Sequence, residues 1–140
     1  MKIRKIIIFC SLLLIWSCAK TTKSSVSETM SFPEPKEWIL VINPEGCKTC
    51  LDHLYHELSE LNISKGAILI IAKNNKSMRL NPLFEKSPVP VYLDEKNKLI
   101  DKGFVDFQDQ LLIVSNEGAL HFDILEFESL LAKLKQLRDS

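Results

Sequence analysis

The chain has 140 residues, with 18 basic and 18 acidic side chains, and 46% of it is hydrophobic. That length holds one domain of ordinary size, and the apolar content excludes a wholly disordered chain. A formal charge of zero argues against a nucleic-acid partner, which would select a basic excess or a basic stripe. The first residues carry Lys2, Arg4 and Lys5, and Ile6 to Trp16 is an apolar run broken only by Ser11. Ser17-Cys18 follows. A charged start, a short apolar core and a small residue before the break are the parts of a secretory signal. A bilayer-spanning helix needs about 20 apolar residues, so the run is too short for a comfortable anchor.

Ile15-Trp16-Ser17-Cys18 resembles the bacterial lipobox, although Trp16 is bulkier than usual and Ile15 stands where leucine is commonest. The resemblance implies that residues 1–17 are a lipoprotein signal peptide and that Cys18 is acylated and becomes the new N-terminus. Each buried methylene of the acyl chains then adds about 0.8 kcal/mol of membrane affinity. Ala19-Lys20 follows with no aspartate, which in lipoprotein sorting signals favours the outer membrane, facing the periplasm. Cleavage leaves 15 basic and 18 acidic residues and removes Cys10. With Cys18 lipidated, Cys47 and Cys50 are the remaining cysteines, in a bacterial envelope compartment where disulfides persist.

Residues 18–35 read as the lipidated cysteine and a flexible tether: Ala19 to Pro35 is polar, rich in Ser and Thr, ends on Pro33 and Pro35, and shows no helical or strand period. Its reach as a coil is roughly 20–25 Å. Residues 36–140 form the domain. Trp38 to Ile42 is a continuous apolar run, as expected of a strand buried on both faces. Leu51, Leu54, Leu58 and Leu61 recur at helical spacing and predict a helix over 47–62. Ala67 to Ala72 is a second apolar strand. Residues 76–86 should contain a short helix ending near Pro82. Val89 to Leu93 predicts a short strand that Pro88 and Pro90 confine to an edge or a strand start. Leu111 to Ser115, a turn at Asn116-Glu117-Gly118 and Ala119 to Leu125 predict a hairpin. Phe127, Leu130, Leu131, Leu134 and Leu137 mark a closing amphipathic helix. Strands interleaved with helices, then a hairpin and a helix, define an α/β class around a central mixed sheet.

Gly46-Cys47-Lys48-Thr49-Cys50 falls where the first strand gives way to a helix. A helix N-terminus presents unpaired N–H groups and about half a positive charge, which stabilise a thiolate. Cys47, at the start, should meet solvent. Cys50, one turn before the buried Leu54, should be shielded. An exposed thiol of low pKa beside a shielded partner suits disulfide exchange, in which the first attacks and the second resolves the mixed disulfide. Lys48 favours ionisation of Cys47 and Glu45 opposes it. Covalent haem attachment is excluded because Leu51, and not histidine, follows Cys50.

From Lys36 to Leu137 the order strand, Cys-x-x-Cys, helix, terminal hairpin and helix resembles the thioredoxin superfamily, in particular the thioredoxin-like and redoxin-like lipoproteins of bacterial envelopes. The resemblance implies a thioredoxin-like fold, and a thiol–disulfide oxidoreductase in which Cys47 attacks and Cys50 resolves. It implies no cofactor. Its partners would be protein thiols or disulfides of the envelope and an envelope electron donor or acceptor, with the membrane held through Cys18. Three positions depart from the family pattern. Gly46 replaces the tryptophan common before the first cysteine, and Val41 replaces the buried strand acid. The cis-proline that precedes the hairpin should fall near Asp109-Gln110, where there is none; a rival threading assigns that part to Pro90, with Asn97-Lys98 turning the hairpin.

Two alternatives compete. Cys47, Cys50, His53 and His56 recur every three residues, and three of them could converge on copper(I) or zinc as in a metal carrier. Four could not, because residues 47 to 56 span about 13.5 Å of helix. The two cysteines could also form an inert disulfide in a binding or structural lipoprotein. Asp94-Glu95-Lys96 reads as a charged strand exit, and His121 as an exposed strand residue.

Overall fold

Trp38–Ile42 forms β1, and all five of its side chains are buried. The computed structural model in which it lies describes residues 20–72 and 81–140. The expected signal peptide, Cys18, and residues 76–80 of the expected short helix lie outside the described residues. Parallel to β1 runs β2 (Gly66–Ile71), with Leu40 level with Ile68. Beyond β2 lies β3 (Val91–Asp94), again parallel. On the other side β4 (Leu111–Ser115) pairs antiparallel with β1, and β5 (Gly118–Phe122) completes the hairpin. The strand order is β3-β2-β1-β4-β5, a mixed five-stranded sheet with helices on both faces, which is an α/β architecture.

Two layers account for the continuous apolar strands, since successive side chains point to opposite faces. On one face Trp38, Leu40, Ile42, Ile68, Ile70 and Ile113 pack against two amphipathic helices. One is α2 (Lys48–Glu60), which buries Leu51, Leu54, Tyr55 and Leu58. The other is α5 (Phe127–Asp139), which buries Leu130, Leu131, Leu134 and Leu137. On the opposite face Ile39, Val41, Leu69 and Val114 pack against Val26, Phe32, Leu99 and Val105. Gly66 permits the first layer: a Cβ there would run into the indole ring of Trp38, while the ring nitrogen donates to the Ser64 carbonyl at 3.1 Å.

The second layer departs from the sequence reading. Residues 23–30, inside the expected flexible tether, form α1 (Lys23–Met30), entered through a capping box in which Thr22 and Ser25 bond each other's backbone N–H. Val26 is fully buried, and the ring of Phe32 stacks on Tyr92 at 4.3 Å. Lys23 is buried as well; its ammonium donates to the carbonyls of Pro35 at 3.0 Å and Lys36 at 2.8 Å. Strands that are apolar on both faces need a cover on both, and this segment supplies half of the second one. The rest comes from Val105 and from Leu99 on a short helix, α4 (Lys98–Asp101), that periodicity did not indicate. This helix is held by Asp94, whose buried carboxylate accepts the backbone N–H groups of Lys98 at 2.9 Å and Leu99 at 3.0 Å.

Two further expectations are corrected. Pro82 begins a helix instead of ending one: α3 spans Pro82–Lys86, with the Asn81 side chain accepting from Leu83 N–H. Proline suits the first helical turn because its missing N–H would have had no partner there. The rival threading through Pro90 also fails. Pro90 precedes β3 on the sheet edge, Asn97-Lys98 opens α4, and no described peptide bond is cis.

Candidate functional site

The site is built where β1 ends. Asn43, buried, donates its backbone N–H to the Gln110 carbonyl at 2.8 Å and its side-chain amide to the Phe107 carbonyl at 3.3 Å. The chain then turns through Pro44, Glu45 and Gly46; Gly46 has φ +96°, a left-handed conformation that glycine takes without strain. Cys47 is the N-cap of α2, and its carbonyl accepts the first helical bond, from Leu51 N–H at 3.0 Å. Cys47 and Cys50 are joined in a disulfide, with Cα atoms 5.3 Å apart.

Exposure does not separate the two cysteines as the sequence reading expected. Both are half-buried and pack against the first core layer. What separates them is bonding: the Cys47 Sγ accepts the Cys50 backbone N–H at 3.2 Å. Sulfur thus occupies the place of a capping oxygen at a helix N-terminus, where amide dipoles favour negative charge. No acidic side chain lies in the first turn of α2 to oppose it.

Around the disulfide, Val41 offers no ionisable group. The buried acid among the described residues, Asp94, is bonded to the α4 N-terminus at the end of β3. His53 pairs with Glu57 at 3.6 Å and lies 5.1 Å from the Phe127 ring. His56 lines a separate cavity of about 310 Å³ with Asp52, Ser59 and Lys86. Among the described residues no group of three or more His, Cys, Asp or Glu is placed to hold a metal ion, so Cys47, Cys50, His53 and His56 do not form a three-ligand set. His121 is largely exposed, as expected, and pairs with Asp109 at 3.2 Å. Tyr55, on the inner side of α2, is buried, and its hydroxyl has no hydrogen-bond partner among the described residues. Burial, and after it the charge of Asp52, pushes that hydroxyl well above its ordinary pKa of 10.0.

Gln110 is the site residue that sequence reasoning did not identify. Its position was marked there only by the missing proline. A long polar side chain one residue before an apolar strand carries no pattern of its own, and its contacts appear only once β4 lies beside β1.

No protein-family profile and no curated protein matches this sequence. Among solved structures, the chain is similar to the crystal structure of the C-terminal domain of an uncharacterized protein from Bacteroides fragilis NCTC 9343. The TM-score is 0.45 and the identity 18%, over 72% of this chain and 80% of that one. A likeness of that size fixes neither a family nor an activity.

Proposed function

We propose that the protein is a thioredoxin-like thiol–disulfide oxidoreductase, anchored through an acylated Cys18 to the outer membrane of a bacterial envelope and facing the periplasm. The observation that carries this reading is the Cys47–Cys50 disulfide at the N-terminus of α2, with the Cys50 N–H directed at the Cys47 sulfur. In the reducing direction the Cys47 thiolate attacks a partner disulfide, forming a mixed disulfide and releasing one partner thiolate. The Cys50 thiolate then attacks the Cys47 sulfur, closes the Cys47–Cys50 disulfide and releases the second partner thiolate. Two electrons leave the cysteine pair, and a dithiol partner of the envelope restores them. The same steps reversed oxidise a partner dithiol. Cys50 completes the exchange because its sulfur is already within bonding reach of the first.

The test is the reduction potential of the pair, with mixed disulfides trapped by Cys50→Ser. Exchange-competent behaviour is a potential above about −300 mV and a covalent complex with a protein dithiol or disulfide. A lower potential with nothing trapped identifies a structural bridge. The metal-carrier alternative gains no support from the placement of His53 and His56.

A further inference from the structure

Gln110 is half-buried at the entrance to β4, and three contacts run from it. Its carbonyl accepts from Asn43 N–H at 2.8 Å, just past the end of β1. Its side-chain Oε1 accepts from Ile124 N–H at 2.7 Å, at the start of the 3₁₀ turn Ile124–Glu126. Its Nε2 donates, at a long 3.5 Å, to the Glu45 carbonyl. That same nitrogen stands 3.0 Å from where a Cβ on Gly46 would lie, so it rests on the bare Cα of the residue directly before Cys47. Among the described residues this is the one side-chain hydrogen bond made to residues 44–46.

We propose that Gln110 is the positioning residue for Cys47: its amide clamps the Glu45-Gly46 turn between β4 and the 3₁₀ turn and thereby sets the redox equilibrium of the Cys47–Cys50 pair. With the disulfide closed, the covalent link itself holds Cys47 against the first turn of α2. Once the pair is reduced that link is gone, and the clamp carries the restraint. Removing the amide therefore gives freedom chiefly to the dithiol form and favours it. This deepens the exchange reading by naming what tunes its cysteines, but the equilibrium belongs to the disulfide whether or not a protein partner exists.

The test equilibrates the full chain with glutathione redox buffers. Gln110→Ala shifts the equilibrium toward the dithiol by about fivefold, or roughly 20 mV at 29.6 mV per tenfold change. Gln110→Glu keeps an acceptor for Ile124 N–H, loses the donor to Glu45 and places a carboxylate beside Gly46. It therefore slows alkylation of reduced Cys47 at neutral pH by about threefold or more, because a nearby negative charge disfavours the thiolate. Thermal unfolding of both variants, oxidised, serves as a control; a residue that only supports the fold lowers the midpoint and leaves both redox readings unchanged. Wild-type equilibrium and wild-type alkylation in these variants overturn the proposal. Failure of the wild type to trap any partner, with the Gln110 effects intact, overturns the exchange reading alone.

Discussion

The two faces of the sheet are covered by different means. The face bearing Trp38, Leu40 and Ile42 is closed by two 13-residue helices, each with a stripe of buried leucines or their equivalents. The face bearing Ile39 and Val41 is closed by Phe32, Val105 and helices of eight and four residues, which are too short to hold by an apolar stripe alone. Buried polar groups pin them: the Lys23 ammonium on two carbonyls and the Asp94 carboxylate on two N–H groups. Apolar area can close one side of a sheet unaided, whereas a small cover made of short segments needs directional bonds to fix where it sits.

Substitutions on the two faces test this difference. Leu54→Ala, on the first face, should cost about 4 kcal/mol in denaturant unfolding, because it removes a fully buried side chain and leaves a cavity. Asp94→Ala should cost about 3 kcal/mol, since the Lys98 and Leu99 N–H groups lose a buried, charged acceptor. Its hydrogen-exchange protection should fall at Lys98 and Leu99 first. Lys23→Met keeps the length of the stem and removes the ammonium; about 2 kcal/mol should be lost, with faster amide exchange confined to residues 23–30. Unchanged exchange there would show that Val26 and Phe32 suffice and would erase the distinction between the faces. The smallest effect has the opposite sign. Tyr55→Phe should stabilise by about 1 kcal/mol, because it deletes a buried hydroxyl without a partner among the described residues.

Tyr55 also predicts a pH dependence. Its raised pKa favours the protonated form in the folded state, so its contribution is complete below pH 10.0 and declines as the pH rises above it. Alkaline unfolding followed from pH 9 upward should therefore steepen in the wild type and flatten in Tyr55→Phe.

What the sequence made legible follows the same division. Leucines at helical spacing and unbroken apolar runs have one simple solution each, so β1, β2, the hairpin and both long helices were readable within a few residues. The Cys-x-x-Cys position was readable because it lies at a junction between two such patterns. The segment 23–30 was not: its composition is that of a linker, and its helix exists because Val26 and Lys23 find partners far along the chain. Thr22 and Ser25 at capping spacing, followed by Val26 and Met30 four residues apart, were the available signal. Asp94 looked like solvent-facing charge, since nothing local announces that its acceptors' donors lie four and five residues on. The different roles of Cys47 and Cys50 were expected from exposure, yet both are half-buried; the hydrogen bond to sulfur depends on backbone torsions that spacing does not encode.

Under the proposed acylation of Cys18, the attachment of Lys23 would decide how the molecule stands on a bilayer. Its ammonium binds Pro35 and Lys36, immediately before β1, whereas Cys47 follows the far end of that strand. Thr22 is only four residues past Cys18, so an acylated N-terminus would be moored within about 14 Å of the lower rim. The domain would then sit upright and close to the lipid on a short stalk, with its sulfur pair on the upper tip, a strand length of about 16 Å further from the headgroups. Such a posture would present the pair to molecules passing through the compartment and turn it away from those lying flat on the same leaflet.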